Sequence, residues 1–193
     1  MKLGRFEKFF MKREHHKKHT IDRARELMDK IGCEENQNFL EVGCGSGAVS
    51  LFCAQTYHLN VTGIDVDPDM IRSAQADARG LKAHFSVEDS THLSFEDGSF
   101  DIVLSFGVMH HIPTWLDALE EIRRVLKSKG YFVYWDIMYP HSLAKIGELF
   151  SSNYGITTLD KFNHFTERNN FSKVHFSVSK SLLFYELETV LQK

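Results

Sequence analysis

The run Glu41-Val42-Gly43-Cys44-Gly45-Ser46-Gly47 holds the densest chemical signal in the chain. Glycines at alternate positions let the backbone turn sharply and approach a ligand without side-chain collision. A helix opening at Ala48 aims its N-terminal amides at the same spot, so the loop can cradle a phosphate or a carboxylate. Gly43, Gly45 and Ala48 also satisfy the G-x-G-x-x-A form of a dinucleotide fingerprint, with Asp65 about 20 residues further on. An NAD(P)-dependent oxidoreductase therefore competes for this loop. Two carboxylates argue for a different ligand. Glu41 stands two residues before the first glycine, where its charge would repel a pyrophosphate and suit a cationic group. Asp89 adds a third acidic position after Glu41 and Asp65. His110 and His111 supply imidazoles, which can take a proton near neutral pH.

The elements that must position these residues follow from hydrophobic periodicity. Phe39-Leu40-Glu41-Val42, Val61-Thr62-Gly63-Ile64, Ala83-His84-Phe85-Ser86-Val87, Phe100 to Ser105 and Tyr131 to Trp135 read as strands. Between them lie helical patterns: one from Ala48, one from Asp67-Pro68 with Asp67 as N-cap, closed by Gly80, and one capped by Thr114 that carries Leu116, Leu119, Ile122 and Leu126. A further helix is expected from Thr20 as N-cap to Gly32 as C′ glycine, with Ile21, Ala24, Leu27, Met28 and Ile31 at helical spacing. The polar run 89–99 is a loop, and Lys129-Gly130 a turn. Helices are expected over 141–150 and 158–169, and strands over 173–178 and 182–191. The short 179–181 connection allows only an antiparallel hairpin. Alternation of strand and helix predicts an α/β, doubly wound, Rossmann-like, mostly parallel seven-stranded sheet with a C-terminal antiparallel hairpin and helices on both faces. In such sheets ligands bind beyond the carboxyl ends of the strands, which is where the glycine loop, Asp65, Asp89 and the histidines fall.

With 193 residues, the chain suits one domain: an N-terminal basic arm and helix over 1–35, a ligand-binding core over 38–137, and helices plus hairpin over 138–193. No stretch approaches the roughly 18 apolar residues of a membrane span. The charged N-terminus does not read as a secretory signal, so a cytoplasmic protein is expected. Cys33, Cys44 and Cys53 are odd in number and lack metal-ligand spacing, so neither a disulfide framework nor a metal site is expected. The net charge is −3, yet residues 1–30 carry ten Lys/Arg against five Asp/Glu. That basic head reads as a solvated arm, with contact to a nucleic acid as the less favoured alternative.

In order along the chain stand Phe39 to Gly47, Val61-Thr62-Gly63-Ile64-Asp65, Val87-Glu88-Asp89-Ser90, Phe100 to Ser105, and Leu119-Glu120-Glu121-Ile122-Arg123-Arg124-Val125-Leu126-Lys127. In this succession the chain resembles the class I S-adenosylmethionine-dependent methyltransferases of the small-molecule type, from about Asn38 to Asp136. The resemblance implies S-adenosyl-L-methionine as cofactor and S-adenosyl-L-homocysteine as product. It implies that Gly43, Cys44, Gly45, Ser46 and Gly47 surround the methionine part, with Glu41 near its ammonium group. Asp65 would take the ribose hydroxyls, and Val66 and Met70 would pack near the adenine. Asp89 would hold the exocyclic amine and the Ser90 amide a ring nitrogen. The Ser105 carbonyl, with Phe106 next to it, would face the methionine ammonium. His111, ahead of His110, is the candidate general base.

The chain lacks the Asn/Asp-Pro-Pro-Tyr run after the fourth strand that would signal methylation of an amino group on adenine or glutamine; it reads Ser105-Phe106-Gly107-Val108 there. A cysteine for carbon methylation of pyrimidines is also missing. Tyr139, Phe150, Tyr154, Phe162, Phe165 and Phe171 are candidates to roof an acceptor. The leading reading is methyl transfer to a small-molecule acceptor. Beside it stand methylation of RNA or protein, an NAD(P)-dependent oxidoreductase, and a non-catalytic module that only binds the cofactor. Neither the acceptor nor the oligomeric state is legible.

Overall fold

A computed structural model describes residues 14–140, 154–181 and 183–193, residues 14–16 by their backbone alone. Seven strands form one sheet: β1 (Asn38–Val42), β2 (Asn60–Asp65), β3 (Ala83–Val87), β4 (Phe100–Phe106), β5 (Leu126–Met138), β6 (Ser172–Lys180) and β7 (Tyr185–Gln192). Their order is β3-β2-β1-β4-β5-β7-β6. The first five run parallel, and β7 enters antiparallel between β5 and β6. This is the expected doubly wound sheet with its terminal hairpin. The order reverses between β1 and β4, so a crevice opens beyond the ends of those two strands.

Five helices are described: α1 (Glu14–Met28), α2 (Ala48–Thr56), α3 (Pro68–Asp77), α4 (Trp115–Val125) and α5 (Leu159–Arg168). Strand residues alternate between the two sheet faces. Leu40, Val42, Val103, Phe132 and Tyr134 face α4 and α5, which contribute Leu119, Ile122, Val125, Phe162 and Phe165. Phe39, Ile102, Leu104, Val133 and Val190 face α1 and α2, which contribute Ala24, Leu27, Met28, Val49 and Cys53. In α4 the buried Trp115, Ala118, Leu119, Ile122 and Val125 recur every three or four residues, one apolar stripe against the sheet. Each large side chain of this kind contributes about 1.5–3 kcal/mol on burial. An Ile122→Asp change would place an unpaired charge in that layer.

Several boundaries differ from expectation. Ser179 and Lys180 are not the hairpin turn: β6 runs on to Lys180, which pairs with Tyr185 at the start of β7. Helix α3 ends at Asp77, short of Gly80, and α4 ends at Val125, so Leu126 belongs to β5. Thr20 is not a cap: α1 is already helical at Glu14, because nothing between 14 and 20 is a glycine or proline that would stop it. The same helix ends at Met28, and Gly32, with φ +62°, sits in the turn beyond rather than at C′. Strand β5 begins at Leu126, not Tyr131. Phe100 pairs with Leu126 and Ile102 with Tyr131, so the expected Lys129-Gly130 turn is a bulge within a longer strand. Lys193 fastens that bulge, donating its amide to the Gly130 carbonyl and accepting from the Lys129 amide. The expected helix over 141–150 lies outside the described residues.

Candidate active site

The glycine loop joins β1 to α2 and takes its shape from the backbone. Gly43, Gly45 and Gly47 have φ of +74°, +52° and +79°, a region that side chains with a Cβ rarely enter. The amides of Gly43 and Cys44 both donate to the Ile64 carbonyl, at 2.8 and 2.9 Å, which ties the loop to the end of β2. A Cβ on Gly43 would stand 2.3 Å from Val108 Cγ2, so the 107–108 segment after β4 closes directly over the loop.

Asp65 is the keystone between these strands. Its Oδ2 accepts from the Gly45 amide and its Oδ1 from the Asp67 amide, each at 2.9 Å. Asp67 in turn accepts from the Asp69 amide and caps α3, with Pro68 in the first turn. Asp89, after β3, folds into an Asx-turn: its Oδ1 accepts from the amide and hydroxyl of Thr91. The Thr91 amide is the main reason its carboxyl sits below the usual carboxylate range.

The loop that carries Asp89 and Ser90 is anchored from α4. Arg124 donates to Glu121, to Asp97 and to the carbonyls of Leu93 and Phe95. Glu121 also accepts from the Leu93 amide. The polar positions of the 119–127 run thus hold a binding loop while Leu119 and Ile122 fill the core.

A cavity of about 240 Å³ lies across the ends of β1, β2, β3 and β4. Gly43, Asp65, Val66, Asp89, Ser90, Phe106 and His111 line it, as do Glu88, Thr91, Gly107, Val108 and Thr114, to which the sequence reading gave no binding role. The remaining candidates lie outside its wall. Gly45 is engaged with Asp65, while Cys44 and Ser46 are buried within the loop. Met70, on α3, is 1% exposed and is not part of the cavity wall. Ser105 is fully buried within β4.

Glu41 also stays off the cavity wall. It is buried beneath the loop, where its Oε2 accepts from the Ser50 hydroxyl at 2.5 Å. Burial pushes its carboxyl up to about 7, against the opposing effect of the Ser50 hydrogen bonds. Near neutral pH this carboxyl is part protonated, because it has been taken out of water, so it would repel a pyrophosphate less than its position in the sequence suggests.

His110 and His111 sit on a short 3₁₀ turn, Met109–His111, with ring centroids 3.9 Å apart. His111 faces the cavity. His110 turns away to Asp136 of β5, Nδ1 to Oδ1 at 2.5 Å. Asp136 has no local motif; the signal available was one acid inside the apolar run Tyr131 to Met138. Of the aromatic candidates for an acceptor roof, Phe162, Phe165 and Phe171 belong to the core under α5 instead. Tyr154 is exposed, with its ring 6.4 Å from that of His111. Phe150 lies outside the described residues.

Residues 40–134 match the methyltransferase domain family, and this stretch contains the loop, both acidic ends and the histidine turn. The chain belongs to the class I S-adenosylmethionine-dependent methyltransferases. Among curated relatives it is 40% identical over 98 residues to 2-methyl-6-phytyl-1,4-hydroquinone methyltransferase of a Synechocystis strain, an overlap of 50% of this chain and 31% of the relative. It is 36% identical over 96 residues to ajmaline N-methyltransferase of Rauvolfia serpentina, 48% of this chain and 33% of that one. The chain thus matches about a third of the length of these relatives. Among solved structures, a Haemonchus contortus phosphoethanolamine N-methyltransferase 2 in complex with phosphomonomethylethanolamine and S-adenosylhomocysteine superposes with a TM-score of 0.74 at 16% identity, over 89% of this chain and 52% of the other. That likeness is one of fold. Among the described residues no helix is long and apolar enough to cross a membrane, and no cluster of His, Cys, Asp and Glu could hold a metal.

Proposed function

We propose that this chain transfers the methyl group of S-adenosylmethionine to a small-molecule acceptor. The observation that carries the reading is one cavity lined by Gly43, Asp65, Val66, Asp89 and His111 at the reversal point of the sheet. The acceptor atoms fit the cofactor. The Asp65 carboxylate, oriented by the Gly45 and Asp67 amides and lining the cavity at the end of β2, is the group to which two ribose hydroxyls would donate. The Asx-turn uses only Oδ1 of Asp89, which leaves Oδ2 for the exocyclic amine. The Ser90 amide would meet a ring nitrogen, and Val66, 38% exposed at the wall, gives the adenine an apolar face. The glycine loop and the Ser105 carbonyl would hold the methionine end beside Phe106.

When bound, S-adenosylmethionine supplies an electrophilic methyl on a sulfonium, so the protein's share is to bind, align and desolvate. The apolar wall of Val108 and Phe106 excludes water, and the histidine turn places imidazole beside the reacting region. The named relatives are a hydroquinone methyltransferase and an N-methyltransferase, which supports a small-molecule acceptor. The basic head gives less support to an RNA target: Arg23 and Arg25, two of its cations, are used inside the fold, in ion pairs with Glu186, Glu188 and Asp22 and over the rings of Trp135 and Phe52.

The test is incubation with methyl-labelled S-adenosylmethionine and pooled phenols, quinols and amines, with products read by mass spectrometry. A labelled small molecule supports the proposal. Cofactor binding with no transfer to any acceptor, RNA or protein would leave a binding module.

A further inference from the structure

Asp136 is fully buried near the end of β5. Three groups donate to it. Its Oδ2 accepts from the Met109 amide at 2.7 Å, and its Oδ1 accepts from the Ile137 amide at 2.7 Å and meets His110 Nδ1 at 2.5 Å. Two of these three lie on the histidine turn, so the carboxylate grips that turn through its backbone and its side chain together. A second restraint comes from the far side, where the Gly155 amide donates to the His110 carbonyl at 3.1 Å.

This arrangement decides a chemical question. A carboxylate that already accepts two amides is acceptor-only, so the nitrogen facing it must carry a hydrogen. The neutral imidazole then has its hydrogen on Nδ1 and its lone pair on Nε2. The ring adjoins the cavity wall at Gly107. Its Cε1 lies 4.0 Å from the point a Cβ on Gly107 would occupy, and Gly107 lines the cavity. Among the described residues, the other titratable groups around the pair are His111, whose ring stands against that of His110, and Tyr139 and Tyr154. Burial, then the charges of Asp136 and Tyr154, push the Tyr139 hydroxyl upward, so it keeps its proton and does not compete as a base.

We propose that Asp136 is a positioning residue that fixes His110 as the Nδ1–H tautomer and thereby makes its Nε2 the proton acceptor for a protic methyl acceptor, a hydroxyl or an ammonium. This rests on the methyltransferase reading. In the step, the acceptor's X–H bond breaks and its proton bonds to Nε2. The electron pair left on X forms the bond to the methyl carbon, and the pair of the broken C–S bond stays on sulfur. His111 forms the cavity wall in this scheme, and the proton goes to its neighbour. The sequence reading put His111 ahead of His110; the proposal takes His110, because Asp136 stands buried behind its ring.

The experiment is nitrogen NMR of histidine-labelled protein with S-adenosylhomocysteine added, beside calorimetric titration of the same sample. The expected result is a hydrogen on His110 Nδ1 and a lone-pair nitrogen at Nε2. Asp136→Asn moves the hydrogen to Nε2 while product affinity stays within about threefold. With phenol as the probe acceptor, that variant loses about 100-fold or more in turnover, the usual share of a general base. A hydrogen on Nε2 in the unaltered protein would overturn the proposal, and that spectrum requires no variant to fold. Turnover of Asp136→Asn within threefold of the parent would overturn it too. If S-adenosylhomocysteine fails to bind while the tautomer is as stated, the methyltransferase reading fails and the geometry of the pair stands.

Discussion

Glu41 and Ser50 share a 2.5 Å hydrogen bond beneath the glycine loop, in a place closed to solvent. The carboxyl is held at about 7 against an ordinary 4.5, mainly by burial. The sign follows from linkage. The folded state holds this proton more tightly than the unfolded chain, so its contribution is complete below pH 4.5 and is lost as pH rises toward 7. A shift of this size corresponds to roughly 3 kcal/mol across that window. Glu41→Gln removes the titration, so its stability in urea should fall less than the parent's between pH 5 and 7.

Gly43 faces Val108 across the mouth of the loop. Gly43→Ala asks a side chain to adopt φ +74° and to overlap Val108 Cγ2. The left-handed backbone costs about 1–2 kcal/mol and the overlap about 1–3 kcal/mol more. Adding Val108→Ala relieves the overlap but not the backbone. In thermal melts the double variant should therefore recover part of the loss, and the two effects should be non-additive.

Arg23 of α1 lies 4.2 Å above the Trp135 ring, and its guanidinium is within 3.5 Å of Glu186 and 3.4 Å of Glu188. Trp135 meets Phe106 edge-on at 6.5 Å, and Phe106 lines the cavity. Arg23→Met keeps the aliphatic stem but drops the charge. It should destabilise the protein by about 1–2 kcal/mol, the scale of a largely desolvated cation–π contact. Trp135 emission should change while that of Trp115 in the α4 core does not, which Trp115→Phe would separate.

How much of this was legible depended on distance along the chain. The glycine loop, Asp65 and the Asp67-Pro68 cap are local patterns, and each sits where the spacing placed it. The sheet and its reversed last strand followed from alternation and one short turn. The Asp136 contact with His110 was not legible, because it exists only once β4 and β5 pair and bring residues 26 positions apart together. Phe162, a candidate for the acceptor roof, belongs to the core instead, because an apolar residue near a site has the same sequence signature whether it faces the ligand or the core. Thr20 failed as a cap because a cap needs a chain that is not already helical before it.

Asp65 ties Gly45 to Asp67 and lines the cavity at the end of β2, so the cofactor reading stands on it. The most direct test is calorimetric titration of the protein and of Asp65→Ala with S-adenosylmethionine, with NADH as the comparison. The account predicts micromolar binding of S-adenosylmethionine alone, weakened by about tenfold or more in the variant, as loss of charged hydrogen bonds implies. Binding of NADH with none of S-adenosylmethionine would contradict it and return the glycine loop to the dinucleotide family.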